Sequence, residues 1–248
     1  MLKYFYIYNI RVPAYGLVVI LGITICFYIA VQIANKRKHQ LSTIVLLGGI
    51  GGIGAVIGAR ILTLLAETMR DGINHLSWNE FMEAGYSYYG GLFGFLIFVY
   101  LLMKCRKIDY FDYARNYIFL LPLLHSFWKI SCFLGGCCFG IPYDGPCAVV
   151  FPNEVNCMSG IYVFPVQLLE SITALLITLC LILLRKKEKL YCPVSTYLIM
   201  YGFTRFVIEF LRFHNDGIVM SEGHYYSLAC IMTGLYLISI KKQVGIKI

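Results

Sequence analysis

The sequence predicts an all-α, polytopic integral membrane protein of about seven transmembrane helices, with its N-terminus outside and its C-terminus in the cytoplasm. Three observations carry this reading. First, hydrophobic residues make up 59% of the chain and charged residues only 14%, where a soluble domain carries about 25% charged residues. The mean hydropathy of +0.73 agrees. Second, the apolar residues gather in seven runs, most near the roughly 20 residues needed to cross the hydrocarbon layer. Third, the basic residues cluster in alternate loops. The net charge of +8 therefore marks membrane topology rather than nucleic-acid binding. Residues 1–248 read as one transmembrane domain with a long outer loop at about 129–165, without internal repeats.

The first run spans about 12–34 and follows a polar, aromatic segment. It has no clear small-residue cleavage site and reads as a retained helix rather than a signal peptide. The second run, about 42–66, carries Gly48, Gly51, Gly52, Gly54 and Gly58. Its Gly-xxx-Gly spacings at 48/52 and 54/58 predict close helix packing. The third run, about 88–103, opens with Tyr88, Tyr89, Gly90 and Gly91 and includes Gly94. These glycines leave room either for a ligand or for another helix. The fourth run spans about 112–128, with Arg115 near its inner end as a snorkelling anchor. The fifth, sixth and seventh span about 166–184, 193–211 and 225–240; the third, fourth and seventh are short for a span. Loops after the first, third, fifth and seventh runs hold thirteen basic residues, and the opposite side holds five. Cytoplasmic loops carry the excess. The outer loops, about 67–87, 129–165 and 212–224, hold eight of the thirteen acids. The length of the 129–165 loop marks it as either a functional or a disordered segment.

An ionisable residue inside a span costs at least a few kcal/mol unless it is paired or faces a cavity. The sixth run places Tyr201, Arg205 and Glu209 four residues apart, with Arg212 three later, so all four share one helical face. At 1.5 Å per residue, Arg205 lies about 10 Å below Arg212. An Arg205–Glu209 pair that only joins helices is one reading; a buried cation reserved for an anionic ligand is the other. Tyr15, Arg60, Tyr88, Tyr89, Lys129, Gln167 and Glu170 fall at the same outer level. That shared depth favours a common site facing outer-leaflet lipid head groups. A transporter or channel is disfavoured, because the inner half offers no counterpart.

Five of the ten cysteines, Cys132, Cys137, Cys138, Cys147 and Cys157, fall in the long outer loop. The adjacent Cys137–Cys138 pair does not fit zinc-ligand spacing, and no His lies between 126 and 213. No metal and no cofactor are expected; disulfides are left open. His75, His125, His214 and His224 could titrate, and His214, just beyond Arg212, is the best placed general base among them. His39 lies in a basic inner loop and reads as structural or solvated. No Ser-His-Asp or Gly-x-Ser-x-Gly pattern is present.

Five motifs occur in order along nearly the whole chain: Val12-Pro-Ala-Tyr-Gly, Tyr89-Gly-Gly-Leu-Phe-Gly, Lys129-Ile-Ser-Cys-Phe-Leu-Gly-Gly-Cys-Cys-Phe-Gly140, Phe164-Pro-Val-Gln-Leu-Leu-Glu170 and Tyr201-Gly-Phe-Thr-Arg-Phe-Val-Ile-Glu-Phe-Leu-Arg212. The last two are the most specific. On these motifs the chain resembles the prolipoprotein diacylglyceryl transferases. The resemblance implies transfer of diacylglycerol from phosphatidylglycerol to the lipobox cysteine thiol of a preprolipoprotein. It also implies a lipoprotein-precursor signal peptide as partner and residence in the bacterial cytoplasmic (inner) membrane. Arg205, Tyr201, Glu209, Gly140, Gln167, Glu170 and Tyr15 match the family pattern. The family's usual His before the Gly-Gly pair is Tyr89 here, its Arg is Lys129, its Asn is Cys132 and its loop acid is Cys137, as in a divergent Cys-Cys branch. In this reading Arg205 and Lys129 hold the phosphate and Tyr89 orients lipid or acts as base. Tyr15, Gly90, Gly91, Gly140, Gln167, Glu170, Tyr201, Glu209 and Arg212 form the substrate-binding set. The same departures at Tyr89, Lys129 and Cys132 frame the alternative, a relative that acts on another acceptor or only binds lipid.

Overall fold

The apolar runs fold as helices. The computed structural model describes residues 4–7, 10–71, 87–151, 160–185, 192–213 and 220–244. A hairpin of β1 (Tyr4–Ile7) and β2 (Ile10–Pro13) leads directly into α1 (Ala14–Arg37). Then follow α2 (Leu41–Asp71), α3 (Tyr88–Arg106), the short α4 (Tyr110–Tyr117) and α5 (Leu120–Gly135). A second small antiparallel pair, β3 (Val149–Val150) with β4 (Tyr162–Val163), precedes α6 (Val166–Leu184). The chain continues through α7 (Pro193–Glu209) and α8 (Glu222–Val244). Among the described residues, five helical stretches are long and apolar enough to cross a membrane: α1, α2, α3, α4 with α5, and α6. The sixth run becomes α7, only 17 residues long and carrying Arg205 and Glu209.

The fourth run departs from its expected limits. It breaks at Ile118 and Phe119, and Pro122 falls in the first turn of α5, where a missing N–H costs little. The helix then runs on to Gly135, so Lys129 and Cys132 are helical rather than loop residues. The helix stops because Gly136 takes a left-handed conformation (φ 68°), which glycine adopts without a Cβ penalty.

The chain forms two compact units. One comprises Met1–Ile29 and Tyr113–Ile248, the other Ala30–Asp112. Within the second unit, α2 and α3 meet backbone to backbone. A Cβ added at Gly58 would lie 2.3 Å from the Gly90 carbonyl oxygen, and one at Gly94 would lie 2.2 Å from that of Gly54. The 54/58 spacing is thus a packing motif, as its periodicity predicts. A Cβ at Gly48 or Gly52 meets nothing within 4 Å. His39 Nε2 pairs with Asp112 Oδ2 at 2.6 Å, a structural contact at the other end of this unit.

Within the first unit, polarity is inverted relative to a soluble bundle. Helix α6 buries Gln167, Glu170, Ser171 and Thr178 and exposes Ile172, Leu175, Leu176, Leu179 and Leu183. Such a surface is expected where lipid replaces water. Helices α7 and α8 approach through small residues, with a Cβ at Gly202 only 2.7 Å from the Ser227 carbonyl oxygen. Phe139, Phe151 and Val163 form a small buried cluster.

The glycine contacts make a paired prediction. Gly58→Val should destabilise the α2–α3 pair by about 1–3 kcal/mol, the usual cost of overpacking, whereas Gly52→Ala should leave stability unchanged. Thermal unfolding in detergent, followed by burial-sensitive thiol labelling, measures the difference.

Candidate functional site

Three helices of the first unit converge on one buried chain of charges. Helix α5 contributes Lys129, α6 contributes Glu170, and α7 contributes Arg205 and Glu209, which helical spacing places one turn apart. Lys129 Nζ contacts Glu170 Oε2, and Arg205 NH1 contacts Glu170 Oε1. The other arm of Arg205 contacts Glu209 Oε2 at 2.5 Å, and Arg212 NH1 lies 3.9 Å from the same oxygen. Lys129, Glu170, Arg205 and Glu209 are all at most 7% exposed, while the Arg212 side chain is 24% exposed. Among these five side chains, three cations face two carboxylates. Arg205 thus pairs with Glu209, as the structural reading requires, and also with a carboxylate from a second helix.

Further groups hold the carboxylates. Ser221 Oγ donates to Glu209 Oε1 at 2.8 Å, and a Cβ at Gly223 would stand 2.2 Å from that oxygen. His224, 1% exposed, accepts the Ser221 backbone N–H on Nδ1 at 3.1 Å. His125 Nε2 lies 4.0 Å from Glu170 Oε2, and its ring stands edge-on to Tyr201 at 5.5 Å between centroids. A small cavity between α5, α6 and α7 opens on His125, Glu170, Tyr201 and Arg205. Sequence reasoning noted both histidines as titratable without placing them at the charge chain, and it missed Ser221, which belongs to no motif.

The remaining expected residues of this unit surround the chain. Gln167, fully buried, donates from Nε2 to the Cys137 carbonyl oxygen at 2.7 Å. Gly140 bridges to Arg212, and a Cβ there would lie 2.3 Å from the Phe164 carbonyl oxygen. This is a steric reason for glycine at that position. Tyr15 is 47% exposed, while its carbonyl accepts a 2.9 Å hydrogen bond from Ser131 Oγ. Next to Lys129 on the chain, the sulfurs of Cys132, Cys137 and Cys138 lie within 4.8 Å of one another. Hydrogen bonds from Cys132 and then Cys137 hold the Cys138 thiol well below the usual thiol range, and the charges of Arg212 and Lys129 act in the same sense.

The other unit carries Tyr89, Gly90, Gly91 and Arg60. Tyr89 is 7% exposed and stands edge-on to Tyr88. Gly90 packs directly on Gly58, whereas a Cβ at Gly91 would meet nothing closer than 3.5 Å. Of the two uses foreseen for these glycines, helix packing accounts for Gly90. His75 and His214, the latter the favoured base among the histidines, lie outside the described residues.

Comparison with known proteins gives a consistent result. A relative from Clostridium tetani, named phosphatidylglycerol–prolipoprotein diacylglyceryl transferase, is 29% identical over 241 residues, covering 96% of each chain. One of the same name from Campylobacter lari is 30% identical, covering 96% of this chain and 94% of the relative. A Clostridium perfringens relative, bearing that name with the number 2, is 26% identical over 97% of this chain and 95% of its own. Residues 3–240 match the family model described as prolipoprotein diacylglyceryl transferase, and the chain belongs to that family.

Proposed function

We propose that this chain transfers diacylglycerol from phosphatidylglycerol to the lipobox cysteine thiol of a preprolipoprotein. The sulfur attacks the glyceryl carbon that bears the phosphate ester, the carbon–oxygen bond breaks, a thioether forms and glycerol phosphate leaves. The observation that carries this reading is the buried chain Lys129–Glu170–Arg205–Glu209–Arg212, with cations in excess. A phosphate entering such a site supplies the missing negative charge, and the cations stabilise it further as it departs. Glu170 and Glu209 keep Arg205 and Lys129 in place before the lipid arrives. The incoming thiol has a reference pKa of about 8.5, so a fraction is ionised unaided. Tyr89 orients a lipid oxygen through its hydroxyl rather than serving as the base. The rival reading, a lipid-binding relative or one with another acceptor, predicts failure to complement a cell depleted of its own transferase; we expect complementation.

The same proposal assigns seven spans in the inner membrane, with the N-terminus and the 129–165 segment outside and the C-terminus in the cytoplasm. Charge bias between alternate loops supports this orientation.

Three outcomes test these assignments. Arg205→Ala should lower transfer to a lipobox peptide on the order of a thousandfold, as for a lost electrostatic group at a departing anion, while the protein remains in the membrane. Arg205→Lys should recover little, because one ammonium cannot span Glu170 and Glu209 as the planar fork does. The assay is the diacylglyceryl mass increment on the peptide; normal transfer by Arg205→Ala would reject the role. Tyr89→Phe should lower the rate roughly tenfold, about 1.4 kcal/mol, as for one lost hydrogen bond; a thousandfold loss with intact lipid binding would assign Tyr89 as the base instead. Membrane-impermeant thiol labelling of intact cells should reach the exposed Cys137 or Cys147 and miss the exposed Cys105; labelling of Cys105 would reverse the orientation.

A further inference from the structure

We propose that Cys132, Cys137 and Cys138 form a trigonal thiolate site for a soft metal ion, specifically monovalent copper. The spacing of these cysteines matches no zinc motif, and the site arises from the way α5 ends. Gly136 turns the chain back in a left-handed conformation (φ 68°), and the Cys137 N–H then bonds the Cys132 carbonyl oxygen at 3.1 Å. This folds Cys137 over the last turn of the helix. Cys138 is itself left-handed (φ 60°), an uncommon conformation for a residue with a Cβ, and the turn brings all three sulfurs within 4.8 Å of one another.

The scaffold is fixed on both sides. Gln167 Nε2 holds the Cys137 carbonyl oxygen at 2.7 Å. The next residue, Phe139, is buried, and its carbonyl oxygen accepts the Phe213 N–H at 3.1 Å. Strained backbone held in place by its surroundings is characteristic of functional positions. Metal–sulfur bonds of about 2.3 Å set sulfurs about 4 Å apart around a trigonal ion, so closure of the cluster needs less than about 1 Å of movement. Among the described residues, no His, Cys or carboxylate joins the cluster as a fourth ligand. Zinc would complete its tetrahedron with a water molecule, whereas three soft thiolates alone complete the trigonal coordination of monovalent copper. Cys137 is exposed and gives the ion a route in. Three thiolates and one monovalent cation carry two negative charges. Lys129 lies one turn before Cys132 on α5, and the Arg212 backbone is bridged to Gly140, while their side chains stay paired with Glu170 and Glu209.

The test uses full-length protein in detergent, reduced and kept anaerobic, and titrated with monovalent copper buffered by bicinchoninate. We expect one copper per chain by elemental mass spectrometry, and X-ray absorption should count three sulfur neighbours. The triple variant Cys132→Ser, Cys137→Ser, Cys138→Ser should lose this copper, while Cys105→Ser with Cys147→Ser should keep it. Cys138→Ser alone should weaken retention at least tenfold, and its thermal transition without metal, matched to the parent, shows that the fold is intact. Equal copper in the triple variant and the parent, fewer than three sulfur neighbours, or retention of zinc in preference to copper overturns the proposal.

Discussion

Arg205 is held between two carboxylates from different helices, and the rest of the site depends on that arrangement. A guanidinium can bridge Glu170 and Glu209 because its fork presents donors in two directions. Glu170 in turn fixes Lys129, and Glu209 fixes both Arg212 and Ser221. Removing one partner from a buried ion pair costs about 3–5 kcal/mol, because the other charge is left without compensation. Loss of any one member of the chain of charges would therefore leave an uncompensated charge where α5, α6, α7 and the start of α8 meet. The chain also sets three cations against two carboxylates.

Much of this was legible in the sequence because membrane insertion imposes strong rules. Basic residues alternate between loops, apolar runs have a required length, and the i, i+4 spacing of Tyr201, Arg205 and Glu209 places them on one face. The limits of α6 match their apolar run, and α3 and α7 begin where expected. The break between α4 and α5 was not legible, because Ile118 and Phe119 are as apolar as their neighbours and only the backbone turns. Lys129 and Cys132 were placed in a loop because Lys, Ser and Cys interrupt the hydropathy; burial of Lys129 against Glu170 explains how the helix continues past them. The Glu170–Arg205 contact joins residues 35 apart in sequence, which no local periodicity reveals. Ser221 and the cysteine cluster were hidden for the same reason: each is assembled by a turn rather than by a repeat.

The two glycine motifs of the second run separate signal from coincidence. Both have the spacing that permits close approach, but only Gly54 and Gly58 meet Gly94 and Gly90 across the interface. Spacing states what a helix can do; a matching pair of small residues on another helix states that it does so. At Gly90, inside a family motif, backbone contact with Gly58 by itself requires glycine.

The short seam around Gly140 has a mechanical consequence. Residues 140–142 are stitched to the segment entering α6 through Ile141 and Phe164, and to the segment leaving α7 through Ile141 and Leu211. Helices in a bilayer respond to changes in its thickness by tilting. With the start of α6 and the end of α7 laced together, tilt of one should carry the other, and the separation of Glu170 from Arg205 should change little. The seam would then brace the charged centre against fluctuations of the surrounding lipid.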